Sequence, residues 1–95
     1  MTPDQIIAKI NQRRRQILVH SVIYYMMDDS IIPDTTWAQW ATELEELQKQ
    51  YPDIAEQCVY ADAFRGFDHS TGFNLPLHDE WATRKARQLL ARRKK

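Results

Sequence analysis

Between two stretches in which apolar side chains recur every three or four residues, the chain reads MMDDSIIPDTT over residues 26–36, and no helix runs through it intact. Asp28 and Asp29 fall at the negative end of the first helix's dipole, where each is disfavoured by roughly a few tenths of a kcal/mol. Pro33 removes a backbone donor, and Asp34 after it is a good N-cap for a new helix. The two flanking segments are therefore helices, and a connection confined to residues 28–34 is short enough to fold them back as an antiparallel pair.

The first helix starts at TPDQ, with Thr2 as N-cap, Pro3 at the first helical position and Gln5 completing a capping box, and it is expected to run to about Met27. Ile6, Ile7, Ile10, Ile17, Leu18 and Val22 mark its apolar side, while NQRRRQ at 11–16 is expected to face solvent or a partner. The second helix, to about Gln50, shows Trp37, Trp40, Ala41, Leu44 and Leu47 on one face and the acidic ELEEL on the other. Tyr51-Pro52 ends it, and Asp53 is expected to cap a third helix that carries Ile54, Cys58 and Ala61 and stops at Gly66. Residues 66–76 hold both glycines and no period, so they read as a loop. From residue 77 to 95 a basic helix places Trp81, Ala82, Ala86, Leu89 and Leu90 on one stripe. No alternating strand pattern is present, so the expectation is a single all-α domain of three to four helices, with 1–65 as the helical body, 66–76 as loop and 77–95 as the closing helix.

Composition narrows the class. Ninety-five residues with 43% hydrophobic and 27% charged side chains make one globular domain, hiding about 60–65% of the surface its unfolded chain exposes. The single cysteine, Cys58, forms no internal disulfide and fits a reducing cytoplasm, and the absence of a long apolar run argues against a membrane span. Formal net charge is zero, yet acidic residues crowd 28–62 while basic ones crowd 84–95 and 13–15.

That charge segregation supports one candidate surface, a nucleic-acid interface of Arg13, Arg14, Arg15, Arg84, Lys85, Arg87, Arg92 and Arg93, neutralising phosphates without regard to sequence. The competing reading is a solvated helix end facing the acidic side of the second helix. Asp68, His69, His78, Asp79 and Cys58 lack the close paired spacings that put metal ligands on one face, so no metal site is expected. Cys58 lies on an apolar stripe, where a thiol is ordinarily packing, and no catalytic group is assigned.

One ordered set of residues goes further: His20, Tyr24-Tyr25, Asp28, Ile32-Pro33-Asp34, Trp37, ELEEL at 43–47 and Tyr51-Pro52-Asp53. Together they make residues 9–54 resemble the small N-terminal domain, often called Ia, of bacterial NAD-dependent DNA ligases. The resemblance implies a helical domain that grips the nicotinamide mononucleotide half of NAD, with Tyr24, Tyr25, Asp34 and Trp37 as cofactor-binding residues. Trp37 stands where that family has a tyrosine, keeping a flat π face for a cationic pyridinium. Ala38 stands where it has an aspartate, losing a carboxylate. The adenylation lysine motif and the other modules of a ligase are not among these residues, so the expectation is a non-enzymatic protein with NAD or nicotinamide mononucleotide as its candidate ligand. The closing segment FDHSTGFNLPLHDEW resembles small phage and prophage proteins described as ligase-related, which implies an accessory protein with a partner in phage or host DNA metabolism. The alternatives are the nucleic-acid module described above and an adaptor using an exposed aromatic face. Nothing in the pattern sets an oligomeric state.

Overall fold

The computed structural model describes the backbone of residues 1–93 except Thr71 and Phe73, and side chains up to Arg92. It is all-α: α1 (Pro3–Met26), α2 (Asp34–Gln50), two single-turn helices α3 (Pro52–Ala55) and α4 (Ala61–Phe64), and α5 (Glu80–Arg93). At about 1.5 Å per residue the 24 residues of α1 span roughly 36 Å, close to the 39 Å long dimension of the molecule. α1 is the axle. Thr2 and Gln5 form the expected capping box at its start, with bonds of 3.2 and 2.9 Å. From Ile17 to Ile23 every residue except His20 is at most 3% exposed, because α2 packs on one side and α5 on the other.

The break falls where the acids and Pro33 place it. Asp28 turns left-handed (φ 50°), a conformation Asp tolerates better than most residues, and this lets the Asp29 N–H return to the Ile23 carbonyl at 3.2 Å. The cap of α2 differs from expectation. Asp34 is the first helical residue and Pro33, extended at φ −62°, is the N-cap; its carbonyl accepts from the Thr36 and Trp37 N–H groups. Asp34 sits one position too far along for its carboxylate to cap, and acts only as an anion beside the positive helix end. The helix runs back along α1, since Arg14 meets Gln48, Arg13 meets Glu43 and His20 meets Trp40.

Two further expectations are corrected. The single third helix is in fact two turns, with Tyr51 rather than Asp53 as the cap residue of the first because Pro52 takes the first helical position. The segment breaks because Arg14, expected on the outside with its neighbours, is only 2% exposed and reaches across. Its guanidinium donates to the carbonyls of Ala55 (2.9 Å) and Val59 (3.0 Å) and to Gln48 Oε1 (2.9 Å), over the Phe64 ring at 5.7 Å. Asn11 Oδ1 meanwhile accepts from the Val59 N–H at 2.9 Å. Side chains of α1 thus take over backbone groups that a continuous helix would pair internally, and Tyr60 turns left-handed (φ 58°) where the chain swings away.

That swing aims Tyr60 at the closing helix. Its hydroxyl donates to Asp79 Oδ2 (2.9 Å), and the same oxygen accepts from the Ala82 N–H (3.0 Å), capping α5 at Glu80 rather than at residue 77. Burial first, then the Asp79 bond and charge, push the Tyr60 phenol up to about 12, so it remains a donor. The 66–79 loop drops Leu75 and Leu77 into the core. Ala82 and Ala86, both fully buried, bring α5 close to α1, and this close approach leaves Trp81, expected on the buried stripe, 39% exposed at its edge. Among the described residues no helix is long and apolar enough to cross a membrane.

Removing the Arg14 guanidinium takes three hydrogen bonds from a side chain that is 2% exposed and leaves the part-buried Val59 carbonyl and Gln48 Oε1 without that donor, while the Ala55 carbonyl keeps the Cys58 N–H at 3.2 Å. Arg14→Ala is therefore expected to lower unfolding free energy by about 2–4 kcal/mol in urea titrations. Arg14→Lys, with no planar fork to bridge three acceptors, is expected to recover less than half of that loss.

Candidate functional site

The junction of α1, α2 and the 66–79 loop encloses a cleft of about 290 Å³. Tyr24 and Tyr25 come from the last turn of α1, Asp34, Trp37 and Ala38 from the first turn of α2, and Ile31 and Ile32 from the connection between them. The short connection sets this geometry, since it puts the end of one helix beside the start of the next. All four residues expected to contact a cofactor, Tyr24, Tyr25, Asp34 and Trp37, line this one cleft, and so does Ala38.

Tyr24 and Tyr25 are 55% and 38% exposed and meet edge to face at 5.0 Å between centroids, presenting aromatic surface at the mouth. Trp37 is half-buried, with the exposed Asp34 carboxylate three residues before it. Faces of π density beside a carboxylate suit a cationic ring that also needs a flat partner. Ala38 adds no polar group. Trp40, one turn further on, is structural: Arg13 stacks on it at 5.5 Å and His20 at 5.6 Å.

The floor contains Ser21, which reasoning from the sequence did not find, and His20, which it named in the resemblance but gave no role. Ser21 is 1% exposed and its Oγ has no hydrogen-bond partner among the described residues; His20 Nδ1 is likewise buried and unpartnered. Burial pushes the His20 imidazole below its usual range, so it is neutral at pH 7. The roof comes from His69 and Ser70. The His69 N–H donates to Glu45 Oε1 at 3.1 Å while its Nδ1 lies 3.4 Å from the same carboxylate, fixing the loop to α2. Burial acts to raise Glu45, but the bonds from His69 and the charge of Lys49 outweigh it and hold the carboxyl below its ordinary value. Gly72 lets the loop come so close: a Cβ there would overlap Ser21 Oγ and reach 3.3 Å from Trp37 Cζ2. A glycine in a loop that also carries Phe67, Leu75 and Leu77 is the sequence signal for this close approach.

The basic residues do not converge in this cleft. Arg14 is spent inside the core, and Arg13 pairs with Glu43 at 3.3 Å. Arg84 pairs with Glu80 at 3.6 Å, while Arg15, Arg87 and Arg92 are exposed. The Arg93 side chain lies outside the described residues, as do Lys94 and Lys95. Cys58 donates to the Ile54 carbonyl (3.2 Å), and burial pushes its thiol up, as packing requires.

The family model of DNA ligase-like, N-terminal NAD+-binding domains matches residues 3–57. A DNA ligase of Pseudothermotoga lettingae is 34% identical over 76 residues, covering 72% of this chain and 11% of that protein. DNA ligases of Cellvibrio japonicus (41% over 49 residues; 52% and 7%) and Ureaplasma urealyticum (39% over 51 residues; 54% and 8%) are also similar. The chain spans about a tenth of the length of these curated relatives. No solved structure matches it.

Because folding lowers the His20 pKa, the stability it contributes is complete above the ordinary imidazole value of about 6.5 and is lost as pH falls through that value toward the lower folded one. Melting temperature is expected to drop between pH 7.5 and 5, and His20→Gln to flatten that acid limb. Gly72→Ala is expected to cost about 1–3 kcal/mol through overpacking against Ser21 and Trp37, read from denaturant midpoints.

Proposed function

Since this chain belongs to the family of DNA ligase-like, N-terminal NAD+-binding domains, we propose that it is a non-catalytic binding domain whose α1–α2 cleft takes the nicotinamide mononucleotide half of NAD. One observation carries the reading: Tyr24, Tyr25, Asp34 and Trp37, drawn from two helices and thirteen positions apart at their extremes, line a single cleft. A pyridinium seated against Trp37 gains a cation–π contact, and Asp34 at the mouth supplies the opposite charge. Neutral His20 adds no competing positive charge to the floor.

Residues 3–57 are the part that matches the NAD+-binding N-terminal domain of DNA ligase-like proteins. The role we assign is accessory: a cytoplasmic domain that holds a nicotinamide nucleotide and works beside a protein partner in phage or host DNA metabolism, as the resemblance of its closing segment to small phage proteins suggests. Ala38 makes the grip weak, because the cleft lacks the carboxylate that would accept from a nicotinamide amide or face its charge.

Titrating nicotinamide mononucleotide and NAD to millimolar levels is expected to shift the Trp37 indole and Tyr24 ring resonances in NMR spectra, and Asp34→Asn to reduce those shifts. Ala38→Asp is expected to tighten binding at least about tenfold, since a hydrogen bond to a charged group contributes about 1.5–3 kcal/mol. Unmoved Trp37 and Tyr24 signals at millimolar ligand in both the native protein and Ala38→Asp would remove the reading.

A further inference from the structure

On another side of α1 lies a second, wider groove of about 550 Å³ between α1 and α5, lined by Gln12, Arg15, Val19, Trp81, Lys85 and Leu89 among others. Its character differs from the cleft. Val19 and Leu89 give an apolar floor, and Trp81 is 39% exposed along one edge. Arg15 and Lys85 stand beside it, and neither has an anionic partner among the described residues, whereas Lys9, Arg13, Lys49, Arg65 and Arg84 each pair with a nearby acid. The one acid near the start of α5 that faces solvent, Glu80, is taken by Arg84.

We propose that this groove binds single-stranded nucleic acid, with a base stacked on Trp81 and phosphates on Arg15, Lys85 and Arg92. The spacing favours a strand over an isolated anion. Trp81, Lys85 and Arg92 recur at four and seven residues, which at 3.6 residues per turn keeps them on one face of α5. That face extends over roughly 16 Å, long enough for successive phosphates and longer than one phosphate group needs. An exposed indole flanked by unneutralised cations is the pairing that single strands use, because every unstacked base offers a π face and every nucleotide a charge. A duplex offers the charge but not the base. Arg13 and Arg14, paired and buried respectively, have no part in it.

The test is fluorescence anisotropy with a labelled oligothymidylate and the full chain. Three phosphate contacts predict a slope near −2 in log affinity against log salt, hence about a twentyfold loss between roughly 50 and 200 mM. Arg15→Ala with Lys85→Ala is expected to cut that to about threefold. Trp81→Ala is expected to weaken binding at least about fivefold while Trp81→Phe retains it. Since Trp81 lies at the edge of the core, a circular-dichroism melt serves to show that both variants fold, and the Arg15 and Lys85 changes test the groove without touching the indole. Any of four results overturns the proposal: no oligonucleotide binding at low salt, duplex bound as tightly, affinity unchanged by Trp81→Ala, or displacement by polyglutamate as effective as by oligonucleotide, which would assign the groove to an acidic protein. Failure here leaves the nicotinamide reading untouched, because Trp37 and Tyr24 report that cleft and Trp81 reports this groove.

Discussion

A buried guanidinium organises this domain. Among the described residues no carboxylate is in direct contact with Arg14; the Ala55 and Val59 carbonyls, the Gln48 amide oxygen and the face of Phe64 surround it instead. Burial lowers its pKa, yet an arginine still carries its charge, so those dipoles must stay where they are for the charge to be tolerated. The requirement propagates. Ala55 and Val59 are held with their carbonyls facing α1, the segment cannot continue as a helix, and Tyr60 takes a left-handed turn that carries its hydroxyl to Asp79. Asp79 in turn caps α5. One side chain on the first helix thus sets where the last one begins.

The parts of this architecture that were legible from the residues alone are those governed by local chemistry. The capping box at Thr2, the break at Asp28 with Pro33, and the Trp37-to-Leu47 stripe each depend on neighbours within a few positions. Arg14 was not legible, because RRR within a polar run is indistinguishable from a solvated face until a distant segment supplies its acceptors. The division of residues 52–64 into two turns follows from the same contact and was hidden for the same reason. Trp81 illustrates a subtler limit: helical periodicity groups it correctly with Ala82 and Ala86, but the small residues draw the helices together and leave the large one at the rim.

The cleft divides along similar lines. Tyr24, Tyr25, Asp34 and Trp37 were assigned through the family resemblance and share one concavity, since a short connection between antiparallel helices brings the end of one beside the start of the next. Ser21, His69 and Ser70 were not, because they meet only when the loop folds over α1, and that depends on Glu45 and on the missing side chain of Gly72. A pattern with no period conveyed looseness where the structure has a fitted lid.

That lid has a consequence for where this unit ends. The family match stops at residue 57, but Cys58, Phe64, Leu75, Leu77, Ala82 and Ala86 are core residues, and the cleft takes its roof from positions 69 and 70. The family model thus covers fewer residues than the core and the cleft are built from. The helix pair and the closing segment share one core, so a cavity opened on either side of residue 57 draws on the same folding free energy, and the matched stretch cut out alone would expose the apolar faces that Phe64, Leu75, Leu77, Ala82 and Ala86 cover.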